Sequence, residues 1–376
     1  MAEALISKES FIGLDSCVWL YSGAESPPYI GSAEALNDYM RNRAKGPKGR
    51  ELHAQKEASL RGLIAALLGG KAEHIALLSN ASECISAIAL ALPFREGDNI
   101  VVNSLEFPSG VLPWLRKKGV EMRVVSHNGT WEVSAEQMME RVDARTKLVV
   151  ASHVSYLSGA RLDYRKLYEQ LKETDALFLL DATQSLGVVP VDLSGADIVV
   201  SSSYKWLLSV HGLGIMAFNP SRTEQLLPAT AGWRSVERLF HERRFETVEF
   251  YKDARRFELG YPSFPSIYAM ERSVEALLDA GIGQIERHVL ELGGRLIREL
   301  SALGFEVMTP EAPERRAGNI SVVFARGEEL ADALSREGVL LWGGDGRIRA
   351  SVHCFNDDAD LDRLLELLPK LARTLM

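Results

Sequence analysis

The 376-residue sequence has little of what marks secreted, membrane-spanning or metal-binding proteins. Its three cysteines, Cys17, Cys84 and Cys354, are an odd and scattered set that forms neither a disulfide framework nor a metal-ligand cluster. We interpret them as reduced thiols of a cytoplasmic protein. No apolar run reaches the roughly 18 residues that cross a bilayer. The first residues, MAEALISKESF, also lack the pattern of a signal peptide.

The sequence also has fewer basic than acidic residues. The chain has 43 lysines and arginines against 51 aspartates and glutamates, a formal net charge of −8. Phosphate backbones select for basic surfaces, so a nucleic-acid partner is not expected. Hydrophobic residues make up 46% and charged residues 25%, which is ordinary for a globular protein. The composition therefore favours a soluble intracellular enzyme that acts on a small molecule, with room for one large or two moderate domains.

Seven short apolar runs alternate with helical patterns between residues 74 and 218. Most of them are apolar at consecutive positions, which is typical of strands covered on both faces. The alternation predicts an α/β fold with a mostly parallel seven-stranded sheet covered by helices, and ligands beyond the carboxyl ends of its strands. The runs are HIALLS (74–79), NIVVN (99–103), MRVVS (122–126), KLVVASHV (147–154), ALFLLD (176–181), DIVVSSS (197–203) and GIMAF (214–218).

The pattern changes after about residue 256. Long helical stretches then surround the strand-like segments GNISVVF and RIRASV, which indicates a smaller α+β C-terminal domain. We expect a large domain over residues 31–256 and a small domain formed by residues 1–30 together with 257–376. The stretch NRAKGPKGRELH (42–53) is rich in cations and turn residues, and is predicted to be a loop.

Four strand ends carry residues suited to chemistry. SNAS (79–82) opens a helix whose free backbone N–H groups favour an anion. Phe107, before a proline, is a candidate apolar wall. Asp181 ends a buried strand and needs a partner for its charge, with Gln184 about one helical turn later. Lys205 follows the next strand, where burial would make its amine a nucleophile. The structural alternatives are an ordinary helix cap, a core phenylalanine and a capping aspartate.

The order SNAS, LEFPS, DATQ and SSSYKW resembles the class V aminotransferase and cysteine desulfurase-like group of fold type I pyridoxal-phosphate enzymes. The specific part is Asp-x-x-Gln followed, one strand later, by Ser-x-x-Lys. The resemblance covers nearly the whole chain and extends to AGWRSV (231–236), FELGYPSFPSIYAM (257–270) and RIRASVHCFN (347–356). It implies pyridoxal 5′-phosphate as the cofactor and a homodimer with active sites at the subunit interface.

The resemblance also implies a role for each candidate residue. Lys205 would bind the cofactor aldehyde as an imine and later move the proton at the substrate's α-carbon. Asp181 would pair with the pyridine nitrogen, while Gln184 would hydrogen-bond the ring's phenolic oxygen. The other implied cofactor contacts are ring stacking by Phe107, phosphate binding at Ala81 and Ser82, hydroxyl groups from Ser202 and Tyr204, and a position beside the cofactor for Tyr156. Arg349 would bind the substrate α-carboxylate through a bidentate pair of hydrogen bonds. The alternative for Arg349 is a surface cation at a strand edge.

We therefore expect a pyridoxal-phosphate enzyme that acts on an amino acid or amine through an external aldimine, as an aminotransferase. A β-lyase, a kynureninase-like hydrolase and an epimerase are the alternatives, because Phe-Pro-Ser at 107–109 and Tyr-Lys at 204–205 resemble kynureninase and epimerase motifs. Cysteine desulfuration is disfavoured. Desulfurases need a catalytic-loop cysteine shortly before the carboxylate arginine, and the segment before Arg349 contains none.

Other classes of function fit the sequence less well. A nicotinamide-dependent enzyme is disfavoured because HGLGIM (211–216) lacks the G-x-G-x-x-G spacing. A non-catalytic homologue is disfavoured because the lysine, aspartate and arginine are retained together. Segment 42–53 and Arg234 are expected to line the substrate entrance. Tyr261 stands where the family commonly has threonine, in a turn that contacts the phosphate across the dimer.

Overall fold

The computed structural model describes residues 2–375. Its strands form one sheet of seven and one of four. The strands are β1 (Val18–Leu20), β2 (Ile75–Leu78), β3 (Asn99–Asn103), β4 (Glu121–Val125), β5 (Thr146–Ser152), β6 (Leu177–Asp181), β7 (Ile198–Ser202), β8 (Gly214–Phe218), β9 (Asn319–Val323), β10 (Val339–Gly344) and β11 (Arg347–Ser351).

The helices cover both sheets. They are α1 (Ile30–Arg43), α2 (Pro47–Leu68), α3 (Ala81–Ala91), α4 (Leu112–Leu115), α5 (Ala135–Met139), α6 (Tyr164–Leu171), α7 (Pro220–Thr223), α8 (Phe264–Ala280), α9 (Ile282–Ala302), α10 (Gly327–Arg336) and α11 (Asp358–Leu375). Within residues 2–375, none of these helices combines the length and the apolar character needed to cross a membrane.

The larger sheet has the order β2-β8-β7-β6-β5-β3-β4. Its strands run parallel except β8, which is antiparallel to both of its neighbours. The predicted mostly parallel, seven-stranded α/β sheet is therefore confirmed, and each strand matches one of the seven apolar runs.

Successive side chains of the central strands enter different hydrophobic clusters. Leu180, with Val199 and Ile215, joins a cluster that includes residues of α2, α6 and α8. Leu179, the preceding residue, joins a second cluster, with residues of α3. Because both faces are buried, the strands are apolar at consecutive positions rather than at alternate ones. This burial directs the functional groups to the ends of the strands.

The smaller sheet has the order β1-β10-β11-β9, with β1 parallel to β10 and the other pairs antiparallel. Leu20 of β1 and Ile348 of β11 share a separate core with residues of α9, α10 and α11. The N-terminal segment thus pairs with the C-terminal part of the chain. This arrangement agrees with a small domain drawn from both regions, although its proposed boundaries stay a prediction.

The predicted loop at residues 42–53 is wrong for most of its length. Only residues 44–46 separate α1 from α2. Gly46 has a φ of +59°, a conformation that favours glycine, and Pro47 begins α2 at the position where its missing N–H costs nothing. The glycine and proline therefore mark a sharp turn between two helices, and the cations other than Lys45 lie on helices.

Candidate active site

The loops after β6 and β7 meet at the carboxyl edge of the large sheet and enclose a cavity. The structure brings nine of the ten predicted site residues to its walls, and the tenth, Arg349, donates a hydrogen bond from Nη1 to the carbonyl oxygen of Tyr156 at 2.6 Å. The cavity is lined by Ala81, Ser82, Phe107, Ser109, Ser152, Tyr156, Asp181, Thr183, Gln184, Ser202, Tyr204 and Lys205.

Lys205 lies in this cavity with 8% of its surface exposed. Its Nζ is 5.4 Å from the ring centroid of Phe107 and 5.7 Å from that of Tyr204. Burial, assisted by the positive charge of Arg349 and opposed by Asp181, lowers the pKa of Lys205 to about 8. The amine is therefore far more available as a nucleophile near neutral pH than a surface lysine would be.

Asp181 ends β6 beside this lysine and is 6% exposed. Its Oδ1 accepts a hydrogen bond from the backbone N–H of Thr183 at 2.8 Å. Burial raises the pKa of Asp181, while Thr183 and the charge of Lys205 oppose the rise. Among residues 2–375, no hydrogen bond reaches its Oδ2. The carboxylate is positioned by the chain yet keeps an oxygen for a cationic partner.

Gln184 is anchored by three hydrogen bonds. Its Nε2 donates to the carbonyl oxygen of Gly23 at 2.8 Å, and its Oε1 accepts from Trp206 and Asn319, each at 2.9 Å. A Cβ at position 23 would overlap Asn319, so only glycine allows this close approach. One amide hydrogen of Gln184 remains for a ligand. Sequence reasoning assigned residues 1–30 to the small domain but found no motif among them, and so missed the contribution of Gly23.

The N-terminus of α3 faces the same cavity. Asn80 caps the helix by accepting a hydrogen bond from the N–H of Glu83 at 2.9 Å. Ala81 and Ser82 are the first two residues of the helix, so their N–H groups have no partner within it. The Ser82 hydroxyl lies 2.7 Å from that of Ser109. This arrangement suits a phosphate group, with the cap at Asn80 leaving the next N–H groups free.

Aromatic rings form the walls of the cavity. Phe107 is 41% exposed, so it is not a core residue, and it meets Tyr156 edge to face with 5.1 Å between ring centroids. Tyr204 stacks on His211 at 4.1 Å. Burial raises the pKa of Tyr204, so its phenol keeps its proton and can donate a hydrogen bond. The rings thus supply a flat apolar surface beside Lys205.

Arg349 lies on β11, an interior strand of the small sheet, and is 3% exposed. This position excludes the alternative of a strand-edge surface cation. Burial and the nearby charge of Arg347 lower the pKa of Arg349 to about 9. Its Nε is buried without a hydrogen-bond partner among the described residues. An anionic group would satisfy that donor, as the prediction of an α-carboxylate site requires.

Several contributors were not predicted, above all Glu106. Its carboxyl group accepts hydrogen bonds from Asn103 Nδ2 at 2.6 Å, and from Ser152 N–H at 2.8 Å and Oγ–H at 2.6 Å. Burial nevertheless raises the pKa of Glu106 to about 7. Ser152 ends β5, but the predicted run continued to residue 154, so this serine was not recognised as a strand end. Thr183 and Ser109 lie within the quoted motifs but received no role.

The two arginines expected at the substrate entrance lie elsewhere in the subunit. Arg234 forms ion pairs with Glu57 and Glu258. Arg50 donates a hydrogen bond to the hydroxyl of Tyr261 at 2.7 Å. Both arginines line a separate cavity rather than the one around Lys205. Their role at an entrance stays a prediction, and it would require a second subunit.

None of the three cysteines lines the Lys205 cavity. Cys84 and Cys354 are fully buried, and burial raises the pKa of both thiols. Cys17 is partly buried and donates to the carbonyl oxygen of Gly13 at 3.3 Å. The cavity therefore offers one amine, one carboxylate and several hydroxyl groups as its reactive side chains.

These side chains fit pyridoxal phosphate. They offer a nucleophilic amine for its aldehyde, a free carboxylate oxygen for its pyridine nitrogen, an aromatic wall and a helix N-terminus for its phosphate. The fold and the site together define a pyridoxal-phosphate-dependent enzyme of fold type I. The chain belongs to the aminotransferase class V family, whose sequence model matches residues 32–364. Pyridoxal 5′-phosphate is its cofactor.

Individual relatives span the same length. An uncharacterised aminotransferase of Schizosaccharomyces pombe is 26% identical, covering 90% of this chain and 87% of that protein. A probable cysteine desulfurase of Pyrococcus abyssi is 25% identical, covering 91% of each. Solved structures share the fold. The apo cysteine desulfurase of Thermococcus onnurineus superposes with a TM-score of 0.88 at 23% identity, covering 98% and 97% of the two chains. The cystine C–S lyase C-DES gives 0.87 at 20% identity, covering 96% and 99%.

Proposed function

We propose that this protein is an aminotransferase that moves the amino group of a small amino acid to a keto acid. The observation that carries the proposal is the buried amine of Lys205, which has Asp181 beside it and neither a thiol nor an imidazole among the cavity's lining residues. When bound, the cofactor supplies a conjugated, electron-withdrawing ring that acidifies the substrate's α-carbon. A single proton carrier is then sufficient for transamination.

Lys205 is that carrier. With a pKa of about 8, its amine can take the proton from the substrate α-carbon and give it up again at a pH near neutrality. Arg349 holds the α-carboxylate, which orients the α-carbon toward the lysine. Orientation matters because the bond that breaks must stand perpendicular to the ring plane. The guanidinium and the amine therefore act together on one substrate.

Two further groups support the position of the cofactor. Asp181 would direct its carboxylate to the pyridine nitrogen and would keep that nitrogen protonated. Phe107 and Tyr156 cover a face of the site and limit the access of water. The Thr183 N–H already fixes the position of Asp181.

Relatives named as probable cysteine desulfurases make that activity a necessary comparison. Such an enzyme would use a thiol to accept sulfur, whereas Cys84 and Cys354 are buried and Cys17 lies outside the cavity. A β-lyase is the second candidate, because elimination of a β-substituent requires no thiol. The similarity in fold to the cystine C–S lyase supports the β-lyase as this second candidate.

A panel of amino acids separates these reactions. Transamination gives a keto acid together with the amine form of the cofactor, and turnover then needs an added keto acid. A β-lyase gives pyruvate and ammonia while the cofactor is unchanged, and that result would contradict the proposal. A desulfurase would release sulfur from cysteine and lose this activity when Cys17, Cys84 and Cys354 are replaced together.

We also propose that the protein acts as a cytoplasmic homodimer. Exposed aromatic side chains support this, namely Trp233, Phe240, Phe245 and Tyr261, whose exposed fractions are 47%, 86%, 87% and 52%. Solvent-exposed rings in such number are typical of an interaction surface. Sedimentation should give about twice the 41.6 kDa chain mass. Full activity in a monomer would refute the dimer without affecting the proposed chemistry.

A further inference from the structure

Two buried arginines stand side by side on β11. Arg347 and Arg349 are alternate residues of the strand, so their side chains leave the same face of the sheet. They are 1% and 3% exposed. Arginine is rarely buried to this extent unless it is paired, because removing a charge from water is costly. The function proposed above gives a role to Arg349 alone.

Most of the N–H donors of Arg347 have no hydrogen-bond partner among the described residues. Its Nη1 lies 3.3 Å from Asp345, whose side chain is 70% exposed, while its Nε and Nη2 are buried without partners among the described residues. Arg349 uses Nη1 on the carbonyl oxygen of Tyr156 and leaves Nε unpaired. The pair therefore has several buried donors, with one solvent-exposed carboxylate nearby.

Aromatic rings hold the two guanidinium groups in place. The Cζ of Arg347 is 4.3 Å from the ring of Trp342 and 5.4 Å from the ring of Tyr156. The Cζ of Arg349 is 5.5 Å from the same Trp342 ring. Cation–π attraction offsets part of the cost of burial, but it satisfies none of the N–H donors. Tyr156 also lines the Lys205 cavity, so both arginines adjoin the substrate position.

We propose that the substrate is an amino acid with a second acidic group, and that Arg347 binds this group while Arg349 binds the α-carboxylate. This inference rests on the proposed function. The α-carboxylate would satisfy Arg349, whereas the buried Nε and Nη2 of Arg347, which have no partner among residues 2–375 beside the Nη1 contact to Asp345, call for a second anionic acceptor. Alternate residues of a strand are about 6.6 Å apart. That spacing suits the two carboxyl groups of a short dicarboxylic amino acid, and a bidentate fork suits each of them.

Binding of unreactive acids to the holoenzyme tests the proposal. The probes are glutarate against valerate and succinate against butyrate, compared by calorimetry, since none of these acids carries an amine. Each diacid should bind on the order of 30-fold more tightly than its monoacid of equal length. Arg347→Met should abolish that preference and change monoacid affinity by less than about threefold. Arg347→Lys, which retains the charge without the fork, should keep part of the preference.

Arg336→Met, at an exposed position of α10, is the matched control and should bind all four acids as the wild type does. Equal affinity of the wild-type protein for diacids and monoacids would overturn the inference without any variant. So would an Arg347→Met protein that loses affinity for both classes alike. Thermal unfolding and cofactor absorbance verify that each variant is folded.

Turnover separates this inference from the function on which it rests. Keto acid formed from monocarboxylic amino acids alone would leave the aminotransferase proposal standing and refute the second acidic group. Diacid binding that depends on Arg347, with no keto acid formed from any amino acid, would refute the aminotransferase and leave the binding site standing.

Discussion

Gln184 at the edge of the large sheet and Arg347 on the small sheet are both buried, yet their polar groups are used differently. The amide of Gln184 makes three hydrogen bonds within the protein, whereas two of the nitrogens of Arg347 make none among the described residues. The cofactor side of the cavity is therefore preorganised by the chain itself. The arginine side is incomplete until a ligand binds. Substitutions on the two sides should therefore impair the enzyme in different ways.

The largest effect should come from removing the reactive amine. Lys205→Ala should lower turnover by at least about 10^4-fold, because no other lining residue can both bind the cofactor covalently and carry the α-proton. The fold should survive, since the change removes a buried cation. Keto-acid formation measures the loss, and mass spectrometry after borohydride reduction should find the cofactor on the Lys205 peptide only in the wild type. Lys172→Ala, at an exposed position, is the control.

That prediction would fail if reduction attached the cofactor to another lysine, or if the variant kept turnover above about a hundredth of the wild-type rate. Either result would remove Lys205 from the centre of the site. The buried position and lowered pKa of its amine would then need a different explanation.

Asp181→Asn should have the next largest effect. Asparagine keeps an oxygen for the Thr183 N–H but removes the negative charge from the pyridine nitrogen. We expect kcat to fall on the order of 10^2- to 10^3-fold while KM changes little, since the lost interaction stabilises charge that develops during the reaction. Steady-state kinetics with saturating cofactor measures this. A change confined to KM would place Asp181 on the substrate side instead.

Arg349→Met should affect binding more than rate, in contrast to Asp181. Loss of its charge-assisted fork should raise KM about 100-fold with a smaller change in kcat. Because the charge of Arg349 lowers the pKa of Lys205, the same variant should also shift the midpoint of cofactor association above pH 8. Association of pyridoxal phosphate with cofactor-free protein, followed by absorbance across pH, measures the shift. An unchanged midpoint would show that the two groups do not interact.

Glu106→Gln should have the smallest effect and should appear as a pH dependence of stability. Burial raises the pKa of Glu106 from its ordinary 4.5 to about 7. Between those values the folded protein holds a proton that the unfolded chain has released. The contribution to stability is thus full below pH 4.5 and is lost as the pH rises through 7. Glutamine resembles the protonated form and should flatten the decline in Tm of the cofactor-free protein between pH 5 and 8.

The matched control for this slope is Glu136→Gln. An exposed ion pair with Lys166 holds the pKa of Glu136 down at about 2, so its ionisation is constant across that range. The control should therefore decline as steeply as the wild type does. Equal slopes for Glu106→Gln and the control would show that Glu106 does not carry the proton.

Although the edge strand β4 is partly exposed, the other strands of the large sheet are mostly buried on both faces, and this is why the sequence predicted the sheet well. β3 and β8 fall on their predicted residues, and the other strands differ by one or two positions at their ends. The cofactor-side residues could be found for the same reason, since a buried strand can place a polar group only where it ends. Asp181 and Lys205 both follow this rule.

The small sheet was harder to predict. β1 has only three residues, and its parallel pairing with β10 joins segments that are far apart in sequence. No local sequence pattern therefore predicts this pairing. β10 is only partly buried and lacks a clear period. Arg347 was given no role from the sequence, because its surroundings depend on Trp342 and Tyr156, which a local pattern cannot relate to it. Glycine and proline at 46–47 suggested a loop, although they only separate two helices.

The amide of Gln184 has a consequence for biosynthesis. Its partners, Gly23, Trp206 and Asn319, leave the ribosome at very different times. All three hydrogen bonds can form only after Asn319 has been synthesised, so this part of the pocket is completed after most of the chain has been translated. A product that ends before Asn319 would leave one of the two hydrogen bonds to Oε1 of Gln184 unmade.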